Sequence, residues 1–427
     1  MKKFLLAIMA LPLLWGMAAC SDNEGSEPDP DETEQPVQPA EPEGPRDLSA
    51  DGMANCYIVQ QAGEYKFKAD NQFNLGEGLP VPPAISVESV RLLWQSAKGL
   101  ITSVSLDKEG ETPYVCFTVS EPRGNALIAV ADSEGTIQWS WHIWMPETEI
   151  SSVATTNGYE VMNINLGAIS NTPSEADSYG MLYQWGRKDP FPAAATLTGD
   201  TSTLPATVYD IEGNPVSISN SDWRSDADNT LAFATANPTV VISNMSHFST
   251  TRDWLKADAA DNALWGNPDG DKRDPETNAY VNKGRKTCYD PSPAGWRIGP
   301  ADVFNSFTAT GGYAWEFEDF NIDDANRDGV LDINDYYYGW HFMMAGGNAL
   351  YFPAAARYDG SYAMLMGSMS GLWGNYWSNA PYSSTPGCGF CGLSFQVKTN
   401  TGQEMITISP SGGSSKADAF SVRCIRE

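Results

Sequence analysis

The chain has 427 residues, 54 acidic against 26 basic, and a formal net charge of −28. A surface this negative repels phosphate backbones, which excludes nucleic acid as a partner. The length allows two or more domains with real cores, and 14 Trp, 18 Tyr, 38 Gly and 28 Pro point to loop-rich, aromatic-rich β structure.

The N-terminus is a processing segment. Lys2 and Lys3 precede an apolar run over 4–15 that is too short to span a bilayer, and small residues then lead to Cys20. Met17-Ala-Ala-Cys20 resembles a bacterial lipobox, so 1–19 is expected to be a signal peptide and Cys20 the lipidated residue that ties the protein to the outer membrane. The next stretch, 20–50, is expected to be a disordered tether: between Ser21 and Glu43 there are nine acidic residues, no basic ones and frequent prolines. Its start, Ser21-Asp-Asn-Glu24, resembles the acidic signal that sends Bacteroidales-type lipoproteins to the cell exterior. Arg46, near its end, is a candidate processing point.

Residues 51–148 read as a β-sandwich. Seven short strands are expected, at 55–59, 65–68, 90–94, 101–105, 114–119, 126–130 and 137–144, with turn residues between them. In the last, Ile137, Trp139, Trp141 and Ile143 share one face by period two and are expected in the core. Gln138, Ser140 and His142 take the other, polar face.

Pro146-Glu-Thr-Glu149 marks the joint to a second module, 149–427. Within it lie Asn165-Leu-Gly-Ala168, Leu182-Tyr-Gln-Trp-Gly-Arg-Lys-Asp-Pro-Phe191, Tyr289-Asp-Pro-Ser-Pro-Ala-Gly-Trp-Arg-Ile298, Phe352-Pro-Ala-Ala355, Tyr376-Trp-Ser378 and Phe420-Ser-Val-Arg-Cys-Ile425. In this order they resemble the Fibrobacter succinogenes major paralogous domain family. The preceding Trp139-Ser-Trp-His-Ile-Trp144 resembles the module that often comes before that domain. The resemblance implies a C-type-lectin-like α+β domain with long loops, close to the formylglycine-generating-enzyme group, and brings no established catalytic residues. The fold class expected for the whole chain is therefore mainly β / α+β. Asn163-Ile164 stands where Asp-Arg is usual in the family, and Ser292 stands where a cysteine commonly precedes Pro-x-Gly-Trp.

Beside that resemblance, the residues read structurally. Pro293-Ala-Gly295-Trp296 is a turn into a buried Trp. A short helix is expected over 301–308, strands over 161–166 and 351–354, and a Gly-rich surface loop over 364–377. The range 192–286 reads as a loop-rich insertion carrying Asp222-Trp223-Arg224 and Arg252-Asp-Trp254. With Cys20 lipidated, six cysteines remain, an even number that suits disulfides in an exported chain. The expected pairs are Cys288–Cys424 and Cys388–Cys391, with Cys56 and Cys116 paired or free. His142, His247 and His341 fall in no recognisable catalytic motif, so the expected function is not enzymatic.

The most specific chemical signal is Asp324-Ala-Asn326-Arg-Asp328-Gly329-Val330-Leu-Asp332-Ile-Asn-Asp335. Oxygen side chains at loop positions 1, 3, 5, 9 and 12, glycine at 6 and the Val330 carbonyl at 7 follow the ligand order of a twelve-residue Ca2+ loop. The flanks are not helical, and Asp335 at position 12 resembles the dockerin form. The expected protein is thus a surface lipoprotein that binds a glycan or protein ligand through aromatic loops, with Trp340, Trp373, Tyr376 and Trp377 as contact candidates. The alternatives are an accessory or tip subunit of a surface appendage, and an enzyme on the formylglycine-generating-enzyme-like fold.

Overall fold

The computed structural model describes residues 44–427 apart from 258–260, 271, 277–280, 313, 315, 399–404 and 411. Cys20, the signal peptide and residues 21–43 lie outside the described residues. The chain is mainly β, as its strand-prone, turn-punctuated sequence dictates.

All seven strands expected in the first module are present, plus one at its start. They are β1 (Arg46–Asp47), β2 (Cys56–Ile58), β3 (Gly63–Lys68), β4 (Ser89–Gln95), β5 (Ile101–Asp107), β6 (Tyr114–Val119), β7 (Gly124–Ala131) and β8 (Ile137–Met145). The first strand corrects the extent of the tether. Arg46 and Asp47 pair in parallel with Tyr65 and Lys66 on β3, and Ser49 is buried, so ordered structure begins before residue 50. Arg46 is therefore an exposed edge-strand residue, not part of a free linker.

Two sheets face each other. One has the order β1-β3-β6-β5, and the other contains β4-β7-β8-β2. Tyr65, Phe67, Val115, Phe117 and Val119 of the first share a core with Ile128, Val130, Trp139, Trp141 and Ile143 of the second. The Phe67 and Trp141 rings lie 5.2 Å apart.

The second module opens with β9 (Ser152–Ala154), β10 (Glu160–Met162), β11 (Met181–Gln184), β12 (Phe191–Pro192), β13 (Val208–Tyr209), β14 (Pro215–Val216), β15 (Ser219–Asn220), α1 (Leu231–Ala236) and β16 (Val240–Val241). Thr230 caps α1 by accepting the Phe233 N–H. The later elements are β17 (Trp296–Ile298), β18 (Gly339–Met343), β19 (Ala349–Pro353), β20 (Tyr358–Asp359), β21 (Met364–Leu365), β22 (Trp373–Pro381), β23 (Cys388–Lys398), β24 (Met405–Ser409), β25 (Gly413–Ser415), β26 (Ala419–Ser421) and β27 (Cys424–Arg426). The helix expected over 301–308 is a 3-10 helix, Ala301–Phe307. Of the strand expected over 161–166, only its first residues belong to β10.

The main sheet runs β12-β11-β26-β22-β23-β24, and a smaller one runs β17-β27-β10-β9. Asn165 and Arg423, distant in sequence, meet at their junction. Buried Arg423 donates to Asn165 Oδ1 at 2.8 Å, to the Met162 carbonyl at 3.2 Å and to the Tyr351 carbonyl at 2.8 Å. Its guanidinium lies 4.0 Å from the Phe352 ring centroid.

The expected surface loop over 364–377 is corrected at its end, where 373–377 belong to β22, which is buried along nearly its whole length. Gly374 misled because it reads as a loop residue. Its real constraint is the Phe395 ring, which occupies the space a Cβ would take.

The seam between the two modules is apolar and extensive. Cys56, Trp94, Leu127 and Trp144, on the second face of the sandwich sheet, cluster with Tyr183, Trp185, Trp265, Trp377 and Phe420. Strands β13 and β14 extend that same sheet beside β4. Residues 44–427 accordingly form one compact unit.

Candidate functional site

Three of the four aromatic contact candidates are core residues, which corrects their expected role. Trp340 and Tyr376 are fully buried and Trp377 is 1 % exposed. Trp377 donates its indole N–H to the Tyr183 carbonyl at 2.8 Å and stacks on Phe420 with centroids 4.1 Å apart. The Tyr376 hydroxyl donates to the Pro353 carbonyl at 2.7 Å. The polar tips of Trp377 and Tyr376 are satisfied inside the protein, whereas the Trp340 indole N–H is buried without a hydrogen-bond partner. Trp373 alone is half-buried, with the Arg357 guanidinium 5.7 Å from its ring centroid.

The twelve-residue loop closes on itself through its own backbone. Asp324 accepts the N–H groups of Asp328 at 3.1 Å and Gly329 at 2.8 Å. Asp335, fully buried, accepts those of Asn326 at 3.2 Å and Asp332 at 3.0 Å. Arg327 at position 4 has φ 61° and Gly329 at position 6 has φ 86°, so the backbone turns sharply where glycine allows it. The side chains at positions 1 and 12 are thus drawn inward by N–H donors. Among the described residues, no group of three or more His, Cys, Asp or Glu side chains is gathered closely enough to hold a metal ion.

The six cysteines among the described residues are free thiols, which corrects both expected pairings. Cys388 and Cys391 lie three residues apart in the extended strand β23, so their Cα atoms are separated by roughly 10 Å, beyond disulfide reach. The Cys288 thiol donates to the Pro80 carbonyl at 3.5 Å, whereas Cys424 donates to the Ser292 hydroxyl at 3.2 Å. Cys424 therefore faces the position where the resembled family carries its cysteine, and here that partner is a serine. Ser292→Cys is expected to form a disulfide with Cys424. After oxidation and denaturation the variant should titrate with one thiol fewer than the parent; one thiol more would show that the two side chains do not meet.

The Gly-Arg-Lys-Asp-Pro motif plugs a buried polar layer into the sandwich. Lys188 Nζ donates to the Ser140 carbonyl at 3.0 Å and to Asp189 Oδ1 at 2.6 Å, and lies 4.6 Å from the Trp139 ring centroid. Ser140 donates to Asp189 at 2.7 Å, and Arg187 Nη2 lies 3.5 Å from the same carboxylate. The face of β8 that reads as polar is thus covered, not solvated.

His142 belongs to this covered face. Its Nε2 lies 2.8 Å from Asn125 Oδ1, and because Asn125 donates through Nδ2 to the Gly167 carbonyl, the imidazole is the donor. Burial lowers its pKa from the ordinary 6.5 to about 3, so it stays neutral. The unfolded chain takes up a proton first as pH falls. Stability linked to His142 is therefore complete above about pH 6.5 and is lost on acidification toward pH 3, by up to ~1.4 kcal/mol per pH unit. Asp418 works in the opposite sense, since burial raises its pKa from 3.8 to about 6 and the native state holds that proton longer. Urea unfolding of His142→Gln between pH 6.5 and pH 5 should show a flatter acid loss than the parent; an unchanged slope would remove His142 as its source.

The other histidines are also structurally engaged. His247 Nε2 lies 3.0 Å from the Asp253 carbonyl oxygen, and His341 packs 5.0 Å from the Tyr351 ring. A cleft of about 240 Å³ opens beside Asn125, lined by Arg123, Asp177, Tyr179, Met181 and Pro192. Arg123 is already taken there by Glu147 at 2.8 Å and Asp177 at 2.5 Å.

The exposed aromatics lie elsewhere. Trp223 is 40 % and Tyr362 54 % exposed, with ring centroids 6.5 Å apart at 65°, and Met364 beside Tyr362 in sequence is 57 % exposed. The Arg224 guanidinium lies 4.1 Å from the Trp223 ring centroid. The turn that carries Tyr362 is rigid: Asp359 accepts the N–H groups of Ser361 at 2.9 Å and Tyr362 at 3.2 Å, and the Ser243 hydroxyl holds the Ser361 carbonyl. The available sequence signal was Trp223 isolated among Ser, Asp and Arg; Tyr362, with Met364 and Met366 following at period two, gave none. No family model, no curated protein and no solved structure matches the chain.

Proposed function

We propose that this protein is a non-enzymatic lipoprotein on the outer face of the outer membrane that binds a neutral glycan through Trp223 and Tyr362. The observation that carries this reading is the exposed aromatic pair, in a chain whose largest side chains are otherwise mostly core. Two rigid rings at an angle offer apolar faces to the C–H side of a sugar, while Arg224, Asp222 and Ser361 supply donors and acceptors beside them. The strongly acidic chain disfavours anionic glycans.

In the same reading the second module belongs to the major paralogous domain family that its motifs resemble. Ca2+ is then held by Asp324, Asn326, Asp328, the Val330 carbonyl, Asp332 and Asp335, and stiffens a surface loop at extracellular calcium levels. The inward hydrogen bonds of Asp324 and Asp335 support this assignment. The carboxylates would have to close further around the ion.

Glycan-array binding by the full chain tests the proposal. Trp223→Ala and Tyr362→Ala should each weaken binding at least about tenfold. Retention of full binding by both would overturn the assignment. Calcium should raise the melting temperature of the parent and not of Asp324→Ala.

One observation favours an appendage subunit as a second reading. The outer edge of β5 has no strand partner among the described residues, and it lies in the same sheet as the short edge strand β1. Such an edge accepts a strand from another chain. Co-purification with subunits of a surface fibre would support this role.

A further inference from the structure

The ring of Trp185 shields another buried cation, Lys416, which follows β25. Its side chain is 1 % exposed, and Nζ lies 4.2 Å from the Trp185 ring centroid. Two groups from the insertion meet this amine. Asn262 presents Oδ1 at 2.5 Å, and Asp253, whose side chain is also 1 % exposed, presents Oδ2 at 3.1 Å.

The Asp253 contact is close but off-angle. Asp253 Oδ1 accepts the Leu255 N–H at 3.1 Å, while Oδ2 is buried with no hydrogen-bond partner. Oδ2 thus sits within ion-pair distance of Nζ without the alignment of a hydrogen bond. An oxygen without a fixed partner, beside an amine, is free to take up and return a proton. Burial holds this carboxyl above the usual carboxylate range, which makes it a better proton acceptor.

A primary amine under the Trp185 indole, a carboxamide carbonyl and a buried carboxyl form the set needed to make an amide between side chains. Nζ already touches Oδ1, and Asn262 Cγ lies one bond further on, within near-attack range. We propose that Lys416 and Asn262 become joined by an isopeptide bond, with Asp253 as the proton carrier. Asp253 first takes a proton from the ammonium, leaving a neutral amine. The Nζ lone pair forms the bond to Cγ while Asp253 protonates the developing oxyanion. The bond from Cγ to Nδ2 then breaks as Asp253 takes the hydroxyl proton back, the amide nitrogen leaves with the other proton lost from Nζ, and Asp253 passes its proton to the departing ammonia. The lysine ammonium and asparagine become a secondary amide plus an ammonium ion. Asp253 ends as it began, and no oxidant or co-reactant is consumed. Asn262 is exposed, which gives the ammonia a path to water.

The bond would tie the insertion to the chain just before β26. Two contacts already hold these segments together: the Ser415 hydroxyl donates to the Arg252 carbonyl at 2.6 Å and accepts from Asn244 Nδ2 at 2.9 Å. The reaction thus needs no movement of the backbone.

Tandem mass spectrometry of a tryptic digest of the folded full chain decides the matter. The expected product is a branched peptide joining the Asn262 and Lys416 segments, lighter by one ammonia, with no cleavage after Lys416. Asn262→Ala, a surface substitution, should abolish it while the circular dichroism of the fold is retained. Asp253→Asn should yield folded but unlinked chain; if that variant fails to fold, Asn262→Ala still provides the comparison. Linear peptides bearing Asn262 and Lys416 at their sequence masses would overturn the proposal. So would a branched peptide lighter by one water, because it would place the bond at Asp253.

Discussion

Asp189→Ala is expected to lower the unfolding free energy by about 3–5 kcal/mol, read as a shift in the urea midpoint at unchanged slope. The cause is the pair of cations left behind. The side chains of Lys188 and Arg187 are 3 % and 1 % exposed, and Asp189 is the carboxylate beside both. Burial pushes both cations toward the neutral form, and Asp189 opposes that push. Without it, two buried charges keep only carbonyl and hydroxyl partners. Adding Lys188→Met to Asp189→Ala should recover part of the loss, since one uncompensated charge is removed and its stem length is kept. A loss below about 1 kcal/mol would mean that water reaches the layer and takes over the role of Asp189. The Ser140 contacts place this cost at the seam between the modules, so the two should unfold together in the parent.

Trp377→Ala is expected to cost about 3–5 kcal/mol, against under about 0.5 kcal/mol for Trp223→Ala. Trp377 fills space between Tyr183 and Phe420, and its removal leaves the Tyr183 carbonyl without its indole donor. Trp223 meets Tyr362 edge-on, carries the Arg224 guanidinium over its ring and is otherwise largely open to solvent. Thermal unfolding of the two variants therefore separates core from surface before any ligand is known. Equal losses would show that the insertion holds Trp223 as firmly as the main sheet holds Trp377. Glycan binding measured on Trp377→Ala would report unfolding, so it cannot serve as a test of the binding site.

Local pattern determined a good deal of this protein. Alternation over 137–144 assigned Trp139 and Trp141 to the core, and seven strands of the sandwich were legible from β-branched and aromatic runs between turns. The oxygen spacing of Asp324–Asp335 located a loop whose first and last side chains do turn inward. These features depend on neighbours within a few residues, which the chain order displays directly. Tertiary structure decided the rest. Whether Ser140 and His142 are solvated depends on what covers the second face of β8, and the cover comes from Lys188, Asp189 and Tyr183. Whether 373–377 is loop or strand depended on the Phe395 ring over Gly374. Cys424 faces Ser292, not Cys288, because β27 runs beside β17. Trp377 is buried and Trp223 exposed for the same kind of reason: a tryptophan's apolar area is intrinsic, but its burial is set by segments hundreds of residues away that arrive only when the sheets close.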